Sequence, residues 1–517
     1  MELTRRELGA VASGALLAAC STRHPAARPS ASPSTSPPTP VRSASSPPAH
    51  TPASESDWAT FARSLHGVVR RPGDAGYENV LQLWNPAFDD LRPAAVVTCT
   101  TETAVSAAVQ FAARHGLPVR VRSGGHSYIG ASSGDGALVI DLRPRTDVVP
   151  GGDGSMAVGV GAPLVDVYEK LAARGLSIGA GSCARVGIGG LTLGGGFGVV
   201  MRSRGLACDQ VVGAAVVLAD GSRRSVSATS SPDLFWAVRG GGGAGAIVTT
   251  LLFAAEPMPA NVTLFALSYS WSDVVPVLQG WSTTAPDAPD ATWSSLQLFT
   301  TAGTGEPSLR IIGTHLGTVA ATDDQLDRLA AEIARAGGSP PSTRSANPSG
   351  WIDAMLTEAG CAHESEAACL GHPRESFAGA SDFFARPFDI GAARTLGAVV
   401  EARQREQLGV GGLQLDALGG RVAAVAPEDT AFVHRTARCV GQWSAARHLD
   451  DRNADGKSTR WLRRAKSAAA PFATGGAYYG YADAGLTDPS VAYWGSNLPR
   501  LRAVAAANDP HALLARR

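Results

Sequence analysis

Two glycine-rich stretches, each containing one nucleophilic side chain, constrain this sequence more than any other feature. The first is Arg122-Ser-Gly-Gly-His-Ser-Tyr128, which contains His126, and the second is residues 181–198, which contain Cys183. Because glycine has no side chain, such stretches let the backbone lie close to a bulky or anionic ligand. They predict a phosphate-bearing cofactor with an imidazole and a thiol beside it.

The spacing of the glycines and histidines argues against better-known sites. Counted from Gly187, the last place of the G-x-G-x-x-G fingerprint is Thr192, so a dinucleotide-binding Rossmann motif is broken. The sequence contains no G-x-x-x-x-G-K-[ST] loop. His363-Glu364 lacks the second histidine of a zincin, and no C-x-x-C pair occurs, so no metal site is predicted.

Charge and cysteine content limit the partners and the environment. The chain has 45 basic and 45 acidic residues, which argues against a nucleic-acid partner. Its 517 residues predict more than one domain. Seven cysteines are too few for a disulfide scaffold, although Cys361 and Cys369 could form a bridge in an oxidising compartment or remain free thiols.

The first 20 residues are typical of an export signal. Arg5-Arg6 precede a short apolar run that ends in Leu17-Ala-Ala-Cys20, too short to span a bilayer. The paired arginines resemble a Tat signal, and the final four residues resemble a lipobox that would place a lipid on Cys20. A plain Sec signal or a soluble secreted protein is the alternative. If Cys20 is acylated, this lipid is the only expected contact with a membrane.

Residues 21–56 are rich in Pro, Ser and Thr and predict a disordered tether, because they offer little apolar surface to bury.

The pattern after residue 57 predicts an α+β protein. Thr101 is a plausible helix N-cap, residues 119–121 form a strand that leads into the first glycine-rich stretch, and 211–218 and 247–253 are further strands.

The expected domains are 57–260, folded in two lobes with the glycine-rich stretches at their junction, and 261–470, an antiparallel sheet backed by helices. Residues 471–517 are expected to return to the first domain.

Three motifs carry a resemblance to a known family. Arg122-Ser-Gly-Gly-His-Ser, Cys183-Ala-Arg-Val-Gly-Ile-Gly-Gly190 and Ala477-Tyr-Tyr-Gly-Tyr481 resemble the berberine-bridge-enzyme-like FAD-linked oxidases of the PCMH-type, or vanillyl-alcohol-oxidase, flavoprotein superfamily. The resemblance covers about residues 58 to 517. It implies a two-lobed PCMH-type FAD-binding domain and a substrate domain. It also implies FAD attached covalently through His126 and Cys183.

The resemblance implies further contacts with FAD from both glycine-rich stretches and one later strand: Arg122, Ser123, Gly124, Gly125, Ser127, Val186, Gly187, Gly189, Gly190, Ile247 and Val248. Val186 stands at the family's oxygen gate, where valine goes with oxidases. The sequence departs from the family at four places: Ala184-Arg185 replace Pro-Thr, Leu191 replaces His, and Ala244 and Gly480 each replace Asn.

Tyr478 is the candidate base implied by the C-terminal motif, Tyr481 is the second candidate, and both could be packing aromatics. A phenol has a pKa of about 10, so a base role requires a partner that lowers it. Residues 411–416 and 419–422 are expected to form a wall over the flavin, where Gln414 could contact substrate or simply be a polar strand residue.

Together these features predict an exported, monomeric FAD oxidase. Its substrate would be an alcohol group of a sugar or of a glycosylated metabolite. The substrate would give its hydride to the flavin, and dioxygen would reoxidise the flavin and form hydrogen peroxide. Two alternatives remain: a dehydrogenase that uses another acceptor, and a catalytically weak, flavin-carrying binding protein of the cell envelope.

Overall fold

The computed structural model describes residues 51–65, 68–301, 303, 305–447 and 456–514. The export signal, Cys20 and most of the predicted tether lie outside the described residues. The first helix begins at Glu55, inside the stretch predicted as tether. Its early start has a local cause, because Ser54 and Asp57 form a capping box at its N-terminus.

Within the described residues the chain forms fifteen α-helices and eighteen β-strands. The helices are α1 Glu55–Ser64, α2 Tyr77–Leu81, α3 Glu102–His115, α4 Leu164–Ala172, α5 Ile188–Leu193, α6 Met201–Arg204, α7 Pro232–Val238, α8 Val274–Thr284, α9 Val319–Arg335, α10 Trp351–Glu358, α11 Glu366–Leu370, α12 Ile390–Arg405, α13 Lys457–Ala469, α14 Pro489–Trp494 and α15 Leu498–Asn508. The strands are β1 Val68–Arg70, β2 Ala95–Thr98, β3 Val119–Arg122, β4 Leu138–Asp141, β5 Val148–Pro150, β6 Met156–Gly159, β7 Leu176–Ser177, β8 Val211–Leu218, β9 Arg223–Ser227, β10 Ala246–Phe253, β11 Glu256–Pro257, β12 Val262–Tyr269, β13 Thr292–Phe299, β14 Ser308–His315, β15 Thr343–Ser349, β16 Phe377–Phe384, β17 Gly411–Ala417 and β18 Cys439–Ala446.

The first lobe is a four-stranded sheet in the order β1-β2-β4-β3, in which β2, β4 and β3 run parallel. Helix α3 connects β2 to β3. The Thr101 hydroxyl caps this helix by accepting from the Ala104 N–H at 3.2 Å, and Gly116 ends it at a φ of 66°. These local signals place β3 directly before the first glycine-rich stretch.

The second lobe is an antiparallel five-stranded sheet in the order β5-β6-β10-β8-β9. Strand β8 occupies the residues predicted from the sequence. The hairpin from β8 to β9 turns at Asp220-Gly221, where Gly221 has a φ of 82°.

A seven-stranded antiparallel sheet follows, in the order β15-β12-β14-β13-β17-β18-β16. Helices α8, α9, α12 and α13 bury their apolar residues against one face of this sheet. The other face packs against the two lobes through residues such as Trp293, Phe383 and Val440. The α+β class and the helix-backed antiparallel sheet are therefore confirmed.

The C-terminal segment packs against both the sheet and the lobes. The Tyr478 N–H donates to Ser381 Oγ at 2.8 Å, and the Trp494 indole N–H donates to the Gly240 carbonyl at 3.1 Å. Leu501 and Val504 of α15 belong to the same core as the lobes. Since one core runs through all three segments, the domain boundaries stay a prediction.

Among the described helices, none combines the length and the apolar composition needed to cross a bilayer.

Candidate functional site

A cavity of about 1340 Å³ lies where the two glycine-rich stretches meet the seven-stranded sheet and the C-terminal segment. Pockets for small ligands usually have roughly 300–1,000 Å³, so this cavity has room for a large cofactor and part of a substrate. Most of the site residues predicted from the sequence line it: Ser123, Gly124, Gly125, His126, Ser127, Cys183, Val186, Gly187, Gly190, Tyr478 and Tyr481.

Arg122 and Gly189 were predicted to contact the cofactor but do not line the cavity. The Arg122 guanidinium turns away, donates to the Val80 carbonyl at 2.6 Å and lies 3.9 Å from the Asp141 carboxylate. Gly189 lies against Val160, and a Cβ at Gly189 would come within 2.6 Å of the Val160 side chain. The structure gives both residues a packing role beside the glycine-rich stretches.

Ile247, Val248 and Gln414 also lie away from the cavity lining. Ile247 and Val248 are buried in β10, within the core of the second lobe. The Gln414 amide donates to Asp416 Oδ1 at 3.0 Å. Residues 419–422 do not form the predicted wall, because Gly419 and Gly420 pack against Arg202 instead.

The two glycine-rich stretches touch each other at Gly124 and Gly187. A Cβ on Gly124 would lie 2.3 Å from the Gly187 nitrogen, and a Cβ on Gly187 would lie 2.4 Å from the Gly124 nitrogen. Only glycine therefore permits this backbone contact. Gly190, by contrast, has no atom within 4 Å of a built Cβ and faces the open cavity. Side-chain-free backbone of this kind fits a bulky anionic cofactor, because its N–H groups can reach phosphate oxygens.

His126 has the environment of a neutral imidazole. Its ring stacks on Trp84 with centroids 4.8 Å apart and an interplanar angle of 14°. Burial, and then the nearby Arg185 cation, lower the pKa of His126 to about 3. A neutral ring keeps a nitrogen lone pair available for attack on an electrophile.

Cys183 is a free thiol that opens onto the same cavity. Desolvation by the surrounding cavity walls, and then the Glu375 carboxylate, raise the pKa of Cys183 although its surface is open to the cavity. Cys183 is therefore a thiol and not a thiolate before the cofactor binds. Its sulfur would have to lose the proton in the presence of the electron-poor ring in order to attack it.

The hydroxyl oxygen of Tyr478 is occupied by backbone donors. It accepts from the Gly196 N–H at 3.1 Å and from the Phe197 N–H at 3.3 Å, and its ring stacks on Phe197 at 4.0 Å. Burial raises the pKa of Tyr478 to about 12. The two N–H donors act against burial and lower this pKa, so they are the kind of partner that a base role requires.

Tyr481 is affected electrostatically by an acidic side chain, Asp416, that the sequence analysis did not single out. Its ring is near-parallel to Tyr128, with centroids 5.7 Å apart. Burial, and then the Asp416 carboxylate, raise the pKa of Tyr481 well above its usual value. Burial also raises the pKa of Asp416 to about 6. An acidic residue within a hydrophobic strand pattern is rarely buried without a purpose, and this signal could have identified Asp416.

A segment that we call the strap runs from the end of α10 to the first residue of β16, residues 359–377, and forms another wall of the cavity. It contains a disulfide between Cys361 and Cys369, one of the two states left open by the sequence. Arg374 fastens the strap to the first lobe through a two-point ion pair with Asp89, each contact 2.8 Å. This pair holds the strap close to His126 and Cys183.

The strap also brings Cys361, Glu364 and His372 within 4.8 Å of one another. Cys361 Sγ is bonded to Cys369 and offers no thiolate to a metal. These three residues therefore do not form a metal-binding set.

Comparison with known proteins identifies the family. Residues 93–227 match the model of an FAD-binding domain family. The uncharacterised FAD-linked oxidoreductase YgaK of Bacillus subtilis strain 168 is 30% identical over 429 residues, which cover 81% of this chain and 89% of that protein. The chain belongs to the berberine-bridge-enzyme-like FAD-linked oxidoreductases.

Other members of these oxidoreductases agree in sequence and in fold. The chitooligosaccharide oxidase of Gibberella zeae is 29% identical over 440 residues, covering 81% of this chain and 85% of that protein. The solved structure of BBE-like 1 from Physcomitrella patens matches with a TM-score of 0.79 and 25% identity, covering 88% of this chain and 97% of that one. The resemblance drawn from the motifs is confirmed, as are the PCMH-type fold and an FAD-linked oxidoreductase activity.

Proposed function

We propose that this FAD-linked oxidoreductase oxidises an alcohol group of a saccharide, with FAD bound covalently through His126 and Cys183. The convergence of His126, Cys183 and Tyr478 on one cavity carries this proposal. Bound FAD supplies the two-electron acceptor for the hydride of the substrate carbon, and dioxygen then takes the electrons to give hydrogen peroxide.

Tyr478 is the better base of the two tyrosines in the C-terminal motif. Its hydroxyl oxygen accepts from the Gly196 and Phe197 N–H groups, and these hydrogen bonds lower its pKa against the effect of burial. At Tyr481 the Asp416 carboxylate raises the pKa further, which disfavours a phenolate. Tyr478 therefore takes the proton of the substrate hydroxyl, and Tyr481 stays the second candidate.

The polar part of the cavity lining suits a saccharide. It includes side chains that can donate or accept hydrogen bonds: Thr300, Thr301, Glu375, Gln404, Gln407, Ser444 and Arg447. Sugar hydroxyl groups need many such partners when they leave water. The similarity to a chitooligosaccharide oxidase supports the same class of substrate.

Val186 supports an oxidase over a dehydrogenase. It lines the cavity at the position where the resemblance places the oxygen gate, and valine is small enough to leave space there. We further propose, from the sequence alone, that the chain acts as an exported monomer. Its proposed Tat-like signal would leave it as a lipoprotein acylated on Cys20 or as a secreted protein.

The test is a substrate screen with the purified exported protein. Mono- and oligosaccharides are compared with simple alcohols, while oxygen uptake and peroxide release are both recorded. We expect one peroxide per oxygen consumed, with oligosaccharides among the better substrates. Turnover only with an artificial electron acceptor would make the protein a dehydrogenase. Binding of saccharides with no turnover under either condition would favour the envelope binding protein.

A further inference from the structure

Three side chains from different parts of the chain form a continuous stack at the edge of the cavity. The Arg185 guanidinium carbon lies 4.5 Å from the Trp84 ring centroid, and Trp84 is stacked on His126 at 4.8 Å. We call this arrangement the Arg185–Trp84–His126 stack. All three residues line the cavity. His126 therefore has an aromatic plane fixed against one face of its ring.

Trp84 is held firmly enough to fix the plane of the imidazole. Its backbone N–H donates to the Gly125 carbonyl at 3.1 Å, which ties it to the residue before His126. The strap also contacts the two residues that flank Trp84 in the chain, with one hydrogen bond to each. Arg374 donates to the Leu83 carbonyl at 2.9 Å, and the Asn85 amide donates to the Phe377 carbonyl at 2.8 Å.

Arg185 contacts His126 in a second way, through its backbone. The His126 ring forms a hydrogen bond with the Arg185 backbone. The Arg185 carbonyl oxygen lies 3.1 Å from where a Cβ of Gly124 would stand, so it is next to the first glycine-rich stretch. Its guanidinium also donates to the His372 carbonyl of the strap. A carbonyl accepts from a ring N–H, which leaves the lone pair on the other ring nitrogen.

We propose that Trp84 and Arg185 are positioning residues that hold His126 as a neutral, correctly oriented nucleophile for covalent attachment of FAD. This inference rests on the proposed covalent link at His126. The stacked ring prevents rotation of the imidazole, and the neighbouring guanidinium opposes its protonation. Arg185 stands where the family pattern has threonine, so this arrangement is a feature of this chain's own sequence.

Attachment joins a His126 ring nitrogen to the 8-methyl carbon of FAD. The methyl carbon and the imidazole each lose one hydrogen atom, and the two atoms together amount to two protons and two electrons. Dioxygen accepts both protons and both electrons and becomes hydrogen peroxide. The two positioning residues take no part in this exchange and act only through His126.

The experiment follows the attachment itself. The full-length chain is produced without flavin in a Cys183→Ala background, so that only the histidyl link can form, and FAD is added in air. Covalent flavin is measured over time by fluorescence of the denatured protein, and its position by mass spectrometry of the His126 peptide. Binding of FAD before attachment is measured separately by quenching of its fluorescence.

We expect Trp84→Ala to slow attachment by about tenfold, since an aromatic pair contributes roughly 0.5–1.5 kcal/mol and 1.4 kcal/mol corresponds to tenfold. Trp84→Phe, the matched control, keeps a stacked ring and should stay within about threefold of the parent chain. Arg185→Ala should also slow attachment, while FAD binding remains in all three variants.

Attachment by Trp84→Ala at the parent rate would overturn the inference. Loss of FAD binding in that variant would overturn it too, because Trp84 would then serve to bind the cofactor and not to orient His126. A different result separates the inference from the proposal beneath it. If the parent chain carries no adduct on His126, the covalent link is rejected and the positioning role falls with it.

Discussion

The Gln442 side-chain amide of β18 donates a hydrogen bond of 2.5 Å to the hydroxyl of Tyr128, the last residue of the first glycine-rich stretch. This bond connects the seven-stranded sheet to the first lobe at the cavity. Tyr128 in turn stacks near Tyr481, and the Asp416 carboxylate acts on both tyrosines. Tyr481 therefore belongs to a polar network that neither domain could form alone.

The two tyrosines of the C-terminal motif should respond differently to loss of their hydroxyls. Tyr478→Phe should lower kcat by about 10²–10⁴, the usual contribution of a general base. It should also lower the free energy of unfolding by about 1–3 kcal/mol, because it leaves buried N–H groups without an acceptor. Tyr481→Phe should keep most of the activity. Steady-state kinetics and urea unfolding of both variants test this, and a larger loss of kcat in Tyr481→Phe would move the base role to Tyr481.

Asp416 should keep its proton to a higher pH than an exposed carboxyl does. Burial raises its pKa to about 6, so this carboxyl should titrate near that pH in the folded chain. Carbon NMR of the side-chain carboxyls measures this, with Asp416→Asn identifying the signal. A signal that titrates near the usual Asp value of about 3.9 would contradict the raised pKa.

The same group should also affect stability. The folded chain holds a proton on Asp416 between pH values of about 3.8 and about 6, where the unfolded chain has lost it. Stability from this group therefore falls as pH rises through that interval, by up to about 3 kcal/mol. The amide of Asp416→Asn can still accept from Gln414 and does not titrate. The difference in unfolding free energy between variant and parent should grow over this interval; a constant difference would contradict the raised pKa.

Covalent attachment can be checked without turnover. The wild-type protein should keep its flavin after acid precipitation. His126→Ala and Cys183→Ala should each retain one link, and the double variant should release the flavin completely. Absorption of the pellet and supernatant, with peptide mass spectra, distinguishes these cases. Free flavin in the wild-type supernatant would reject both links.

Ala244 is under backbone strain that glycine should relieve. It adopts a φ of 44°, a left-handed conformation that costs a residue with a Cβ roughly 1–2 kcal/mol. We expect Ala244→Gly to raise the free energy of unfolding by about 1 kcal/mol. Ala246→Gly is the matched control, because Ala246 lies in β10 and glycine weakens a strand by about 0.5–1 kcal/mol. Thermal or urea unfolding measures both, and stabilisation by both changes would exclude local strain as the cause.

Some expectations could be drawn from the sequence because they depend on neighbouring residues. Strand β8 and the Thr101 cap of α3 follow from patterns a few residues long. His126 and Cys183 were identified in the same way, since each stands within its own glycine-rich motif. Arg122 and Gln414 belong to comparable local patterns, yet their side chains are directed to Val80 and Asp416 and not to the cavity. A motif indicates which residues lie near one another in the fold, but it does not give the direction of each side chain.

The sequence by itself determined the family, the FAD-binding motifs and several strands and helices, because glycine conformations, caps and hydrophobic periodicity act over short distances along the chain. Only the tertiary structure decided that the Gly196 and Phe197 N–H groups hold the Tyr478 hydroxyl, and that Trp84 stacks on both Arg185 and His126. These partners are far apart in the sequence. They meet where the C-terminal segment and the strap pack against the lobes, and no local pattern records that packing.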